Sequence, residues 1–151
     1  MQMIRHKSHG VTPEELQDEQ VLNQVAALCT RRGEKGLEIL LVKSSRGRWI
    51  LPKGWPMEDR TDAQAAKLEA WEEAGVLKGP VSKAPVAQFM TKKRYGDGTS
   101  SPCLVAVYAI SVKAMTKTYP EAGQRRRRWV SRKKAVKLVN EKSLKAVLRK
   151  I

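Results

Sequence analysis

The stretch RTDAQAAKLEAWEEAG (60–75) constrains the fold of this chain more than any other. Thr61 stands where an N-cap belongs, Gln64 completes a capping box three residues later, strong helix formers follow, and Gly75 falls at the C′ position. One helix is thereby bounded at both ends. On either side of it the apolar pattern shortens to runs of strand length, so any fold must place a single well-capped helix among strands.

Ahead of the helix, VLNQVAALCTRR (21–32) and GLEILLVKSS (36–45) flank the turn-like RGEKG and predict two strands. RGRWILPKG (46–54) predicts a third short strand, ended by Pro52 and Gly54 because proline cannot extend a central ladder. After the helix, APVAQFMTKKRY (84–95) and PCLVAVYAISV (102–112) predict strands joined by GDGTSS, and RRRRWVS (125–131) a further short one. Ser131 is placed to cap a helix through RKKAVKLV, and Leu144, Val147, Leu148 and Ile151 form one stripe of a terminal amphipathic helix. This order predicts a mixed α/β domain, and 151 residues suit one domain, 1–151, better than two.

Composition narrows the class. Hydrophobic residues at 41% and charged residues at 30% are globular values, which argues against disorder. No segment approaches the roughly 20 apolar residues of a membrane span and the first ten residues hold no apolar leader, so a soluble, cytoplasmic protein without membrane partners is expected. Cys29 and Cys103 each stand alone in an apolar run and read as buried thiols. His6 and His9 have no partners in the sequence and receive no role.

Charge is unevenly divided. Residues 112–151 hold fourteen Lys or Arg against Glu121 and Glu141, which is +12 of the net +15, whereas 54–76 hold six acids against Arg60 and Lys67. The basic third predicts attraction to polyanions such as nucleic acid, polyphosphate or anionic membrane, without choosing among them. The acidic centre is more specific. Glu69, Glu72 and Glu73 fall within an arc of about 100° on one helix face. Unneutralised, they repel; beside a loop whose glycine lets a backbone carbonyl approach, they suit a hard divalent cation such as Mg²⁺, which takes oxygen ligands.

The segment GWPMEDRTDAQAAKLEAWEEAGV (54–76) resembles the signature of the Nudix hydrolases, Gly-x5-Glu-x7-Arg-Glu-aliphatic-x-Glu-Glu-x-Gly-aliphatic. Gly54, Glu69, Ala70, Glu72, Glu73, Gly75 and Val76 sit at its spacing. Two positions depart from it: Arg60 stands where the first glutamate belongs, and Leu68 replaces the arginine that helps orient the carboxylates in the family. Either another cation takes that part or the metal binds more loosely, and Glu58 or Asp59 are near enough to supply the acid. The phrases PKGWP and EAWEEAGV are similar to the diphosphoinositol polyphosphate phosphohydrolases and their bacterial relatives.

The resemblance implies a three-layer α/β/α sandwich with a central mixed β-sheet, the signature loop and helix at 54–76 and a basic helical segment at 132–151. It implies hydrolysis of a diphosphate bond by water activated with Mg²⁺ or Mn²⁺, on a highly anionic substrate such as a diphosphoinositol polyphosphate or a dinucleoside polyphosphate. Glu69, Glu72 and Glu73 become the catalytic and metal-binding residues, with the Gly54 carbonyl a further ligand. Glu121, in YPEAGQRRRR, is the candidate for an additional base or ligand from a late loop. Lys53, Arg128, Arg48 and Arg46 are the foremost substrate-binding candidates, followed by Lys92, Lys93, Arg94 and Arg126. The alternative is a catalytically silent Nudix-like domain that binds RNA or another polyanion through its basic C-terminal third.

Overall fold

The computed structural model of the protein describes residues 21–151, so His6 and His9 lie outside the described residues. The two long apolar runs before the helix form β1 (Leu22–Gly33) and β2 (Gly36–Lys43), an antiparallel hairpin whose turn places Gly36 at φ 123°, a conformation that favours glycine. The third predicted strand is divided by Pro52 into β3 (Trp49–Ile50), which pairs with β2, and β4 (Lys53–Gly54), which pairs with β1. Pro52 offers only a carbonyl, and Ala27 N–H donates to it at 2.9 Å.

The capped segment forms α1 (Asp62–Ala74) and runs into β5 (Val76–Lys78), which pairs only with the short β8 (Ala114–Met115). Strands β6 (Ala87–Arg94) and β7 (Ser100–Ser111) form a second antiparallel hairpin, and β9 (Arg127–Ser131) adds to the outer side of β2. The sheet order is β3-β2-β1-β7-β6, with β4 on β1 and β9 on β2. The β1–β7 ladder is parallel and its neighbours are antiparallel, so the sheet is mixed as expected.

Successive side chains of a strand point to opposite faces, which explains the unbroken apolar runs at the centre. From β1, Val25, Ala27 and Cys29 face α1, together with Leu40, Val42, Tyr108 and Ile110. Leu22, Ala26 and Leu28 face the other way, with Ile39, Leu41, Val105 and Val107, and meet α2 (Arg132–Leu138) and α3 (Lys142–Arg149). Three layers result. Ser131 caps α2 by accepting from Lys134 N–H at 3.1 Å, and Leu144, Val147 and Leu148 bury α3 against the sheet. The terminal stripe stops one residue short, because Ile151 lies beyond α3 and is exposed. The basic C-terminal third therefore folds onto the domain and keeps its charges outside.

Cys29 and Cys103 are buried, free thiols, Cys103 Sγ–H donating to Gln24 Oε1 at 3.3 Å, and burial pushes Cys29 up to about 12 and Cys103 up to about 11. Both act as small apolar residues here. Among the described residues no helix is long and apolar enough to cross a membrane.

Candidate active site

The site is positioned by α1, which is fixed at both ends. Thr61 Oγ1 accepts from Gln64 N–H at 3.1 Å while Gln64 Oε1 accepts from Thr61 N–H at 2.8 Å, closing the capping box. At the other end Gly75 adopts φ 73° and donates its N–H to the carbonyls of Ala70 and Trp71. Arg127 donates to Ala74 O at 2.6 Å and Thr116 O at 2.9 Å and lies over Tyr119, placing a cation at the negative end of the helix. Thr61→Ala leaves the Gln64 backbone N–H without its side-chain acceptor and is expected to cost about 1 kcal/mol in denaturant unfolding, with activity retained in the folded fraction.

The face of α1 that meets the sheet is made of Ala65, Ala66, Ala70 and Ala74, all fully buried. Methyl groups allow the helix backbone to lie close to the strands. That approach brings the longer Glu69 and Glu73 side chains down onto β4, where they are 9% and 6% exposed. A Cβ on Gly54 would stand 2.3 Å from the Glu69 carboxyl carbon, so the carboxylate occupies the space that glycine leaves. Lys53 N–H donates to Glu73 Oε1 at 3.4 Å.

Burial and the hydrogen bond to Glu69 push the Glu73 carboxyl up to about 9. Glu69 is also raised, mainly by burial, with the charge of Glu72 adding to it. Two acids pressed together in a low-dielectric wall hold a proton that solvent-exposed acids would release. Glu72 is half-buried, and its backbone carbonyl accepts from Glu121 N–H at 2.9 Å.

That bond ties the late loop to the helix. Glu121 is joined to the carboxylate pair through Arg125, whose Nε lies 2.9 Å from Glu121 Oε1 and whose Nη1 lies 3.7 Å from Glu73 Oε1. Glu121 Oε1 is buried and receives no aligned hydrogen bond despite the guanidinium beside it. Among the described residues no three acidic, histidine or cysteine side chains already stand as a finished metal cage. The donor set nevertheless fits a hard divalent cation: buried carboxylates from one helix, a further acid with an unsatisfied oxygen, and a glycine loop against them.

A cleft of about 680 Å³ opens in front of Glu73. Arg46 and Arg48 reach it from the β2–β3 turn, Lys53 from β4, Lys92, Lys93 and Arg94 from the end of β6, and Lys142 from α3. The structure thus gathers Arg46, Arg48 and Lys53 around the cleft that Glu73 lines. It does not bring Arg128, which is exposed in β9 opposite Leu41, nor Arg126, which lies over the Trp49 ring. Arg125 is the member of the arginine run that lines the cleft. Alternation of side chains misleads there, because β9 begins only at Arg127 and Arg125 belongs to the preceding loop. Its sequence signal was the i,i+4 spacing from Glu121.

The two departures from the signature have separate outcomes. Leu68 faces an apolar recess with Trp71, Val76 and Leu77, away from the carboxylates. Glu58 and Asp59 are exposed in the turn ahead of α1 and do not line the cleft, so neither replaces the acid missing at Arg60.

Comparison with known proteins places this geometry. Two curated proteins of Arabidopsis thaliana are similar to the chain. Nudix hydrolase 13, mitochondrial, is 31% identical over 121 residues, covering 76% of this chain and 59% of that protein. Nudix hydrolase 16, mitochondrial, is 35% identical over 104 residues, covering 68% and 58%. The chain spans a little over half the length of these relatives. Among solved structures, the binary complex of a C. elegans Ap4A hydrolase superposes with a TM-score of 0.63 at 19% identity, over 85% of this chain and 93% of that one, a likeness of fold. The mitochondrial relatives overturn the expected cytoplasmic location. The expectation rested on the lack of an apolar leader and of an apolar span, which do not distinguish one aqueous compartment from another. Residues 22–151 match the NUDIX domain, and the chain belongs to that family.

Proposed function

We propose that this domain hydrolyses a diphosphate bond in a small, highly anionic substrate with the help of Mg²⁺ or Mn²⁺. The observation that carries the reading is the buried Glu69–Glu73 pair, with Glu73 in the wall of a cleft whose other charged groups are mostly cations. A surface built only to bind polyanions gains nothing from acids placed there, which disfavours the silent RNA-binding domain.

In this reading Glu69 and Glu73 hold the divalent cation, with Glu72 and the Gly54 carbonyl completing its surroundings. The bound cation supplies charge neutralisation at phosphate oxygens and acidifies water. Glu121 is the base that takes the proton from the attacking water, and its buried oxygen without an aligned donor suits that part. Arg46, Arg48 and Lys53 hold phosphate oxygens and fix the diphosphate for in-line attack, while Lys92, Arg94 and Lys142 extend the positive wall toward further phosphates. A row of cations this long favours a diphosphoinositol polyphosphate or a dinucleoside polyphosphate over a substrate with one diphosphate.

The test is hydrolysis of a diphosphoinositol polyphosphate, read as phosphate released, and of a diadenosine polyphosphate, read as the two nucleotides released, assayed in parallel with Mg²⁺ and with EDTA. Release from either substrate that EDTA abolishes is the expected result, and the faster one names the substrate branch. No release from either, together with RNA binding that weakens steeply with salt, would replace this reading by the silent polyanion binder.

A further inference from the structure

Arg125 occupies an unusual place. Its guanidinium lies between two carboxylates from different elements, Glu73 of α1 and Glu121 of the late loop, and the same side chain lines the substrate cleft. The two contacts are unequal, with Nε at 2.9 Å from Glu121 and Nη1 at 3.7 Å from Glu73, which is an ion pair without a hydrogen bond. The backbone around it is anchored. Glu121 N–H bonds Glu72 O at 2.9 Å, Gln124 N–H bonds Glu121 O at 3.0 Å, and Lys43 N–H bonds Arg126 O at 3.0 Å. Only the side chain is free to move, and it is 24% exposed toward the cleft.

We propose that Arg125 is a displaceable cation: in the metal-free protein it rests against Glu73 and pairs with Glu121, and when a divalent cation takes Glu73 it swings to a phosphate of the substrate. The inference rests on the metal-dependent reading above. Like charges close together repel, so the guanidinium and a divalent cation cannot share Glu73 on equal terms. The guanidinium has five N–H donors and forms no aligned hydrogen bond to either acid, which leaves its planar fork available to phosphate oxygens. Helix α1 carries Leu68 in place of a cation on the side away from the glutamates, so Arg125 is the guanidinium in contact with Glu73. Metal and substrate are thereby coupled: binding the first frees a ligand for the second.

The experiment compares the wild type with Arg125→Met and Arg125→Lys. Mn²⁺ affinity is read from loss of the paramagnetic resonance signal of free Mn²⁺, and affinity for imidodiphosphate, a non-hydrolysable diphosphate probe, by calorimetry at saturating Mn²⁺. Arg125→Met is expected to bind Mn²⁺ alone about threefold more tightly or better, having lost a competitor, and imidodiphosphate about tenfold more weakly, the loss of one charge-assisted bond. Arg125→Lys should recover part of the imidodiphosphate affinity. Cooperative melting in EDTA near the wild-type temperature verifies that both variants are folded. Weaker or unchanged Mn²⁺ binding by Arg125→Met overturns the displacement and makes Arg125 a fixed brace, and unchanged imidodiphosphate binding overturns the transfer to phosphate. If the wild type binds no Mn²⁺, the metal-dependent function itself falls, and this inference with it.

Discussion

Glu73→Gln should abolish Mg²⁺-dependent phosphate release, by about 10³-fold or more, while making the metal-free protein more stable at neutral pH. The first effect follows from removing a buried carboxylate from the proposed cation site, where several kcal/mol of transition-state charge stabilisation are at stake. The second follows from proton linkage. Glu73 in the folded protein is held at about 9, above its ordinary value of 4.5, because it is buried against Glu69. Below pH 4.5 both folded and unfolded chains carry the proton and nothing is lost. Between pH 4.5 and 9 the unfolded chain releases a proton that the folded one retains, so stability falls as pH rises. At pH 7.5 the deficit is on the order of 2–4 kcal/mol. A glutamine has no such proton and can still donate to Glu69. Melting in EDTA at pH 5 and pH 8 checks this: the variant should gain over the wild type only at the higher pH. Added Mg²⁺ should stabilise the wild type and leave the variant unmoved. Equal pH slopes for the two proteins would refute the buried-proton account.

Gly54→Ala should separate the site from the fold in the opposite sense. Its new methyl group would lie 2.3 Å from both the carboxyl carbon and one oxygen of Glu69, far inside contact distance. The far end of Glu69 has to move, because the β4 backbone is held by its ladder to β1 at Val25 and Ala26. Overpacking of this kind costs about 1–3 kcal/mol. Displacing a ligand is the larger effect, and Mn²⁺ affinity should fall by about 100-fold. Gly123→Ala is the control, since a methyl there meets nothing within 4 Å, and it should change stability by less than about 0.5 kcal/mol. Calorimetric Mn²⁺ titration of the two variants distinguishes a glycine needed for the ligand's position from one that is merely in a loop.

How much of this could be read from the sequence depended on how local each cause is. The helix at 62–74 was legible because Thr61, Gln64 and Gly75 act within one turn of its ends. The central strands β1, β2 and β7 were legible because both of their faces carry buried residues and their apolar runs are nearly unbroken. The division of 46–54 was not, since Ile50, Pro52 and Lys53 answer to two different neighbours, β2 and β1. The glutamate face was legible from helical spacing, and Arg46, Arg48 and Lys53 from their closeness to it. Arg125 was hidden for a physical reason: its role depends on a loop that the Glu121–Glu72 backbone bond pins to the helix, a contact between residues far apart in the chain. Arg128 was chosen as lying near the signature and a strand end, but it falls inside β9 and is exposed there.

The parallel ladder at the centre of the sheet has a consequence for synthesis. Leu22 pairs with Cys103 and Thr30 with Ser111, so β1 waits for a partner about 80 residues downstream. At about 5–20 residues per second, a ribosome needs roughly 4–16 s to make that segment. The β1–β2 hairpin forms from neighbouring residues and is ready at once. Through the interval its apolar edge from Leu22 to Thr30 is an unpaired template, open to any other nascent strand. The cell must shield that edge or outpace its misuse, and crowding of nascent chains should limit the yield of this protein before the finished domain's stability does.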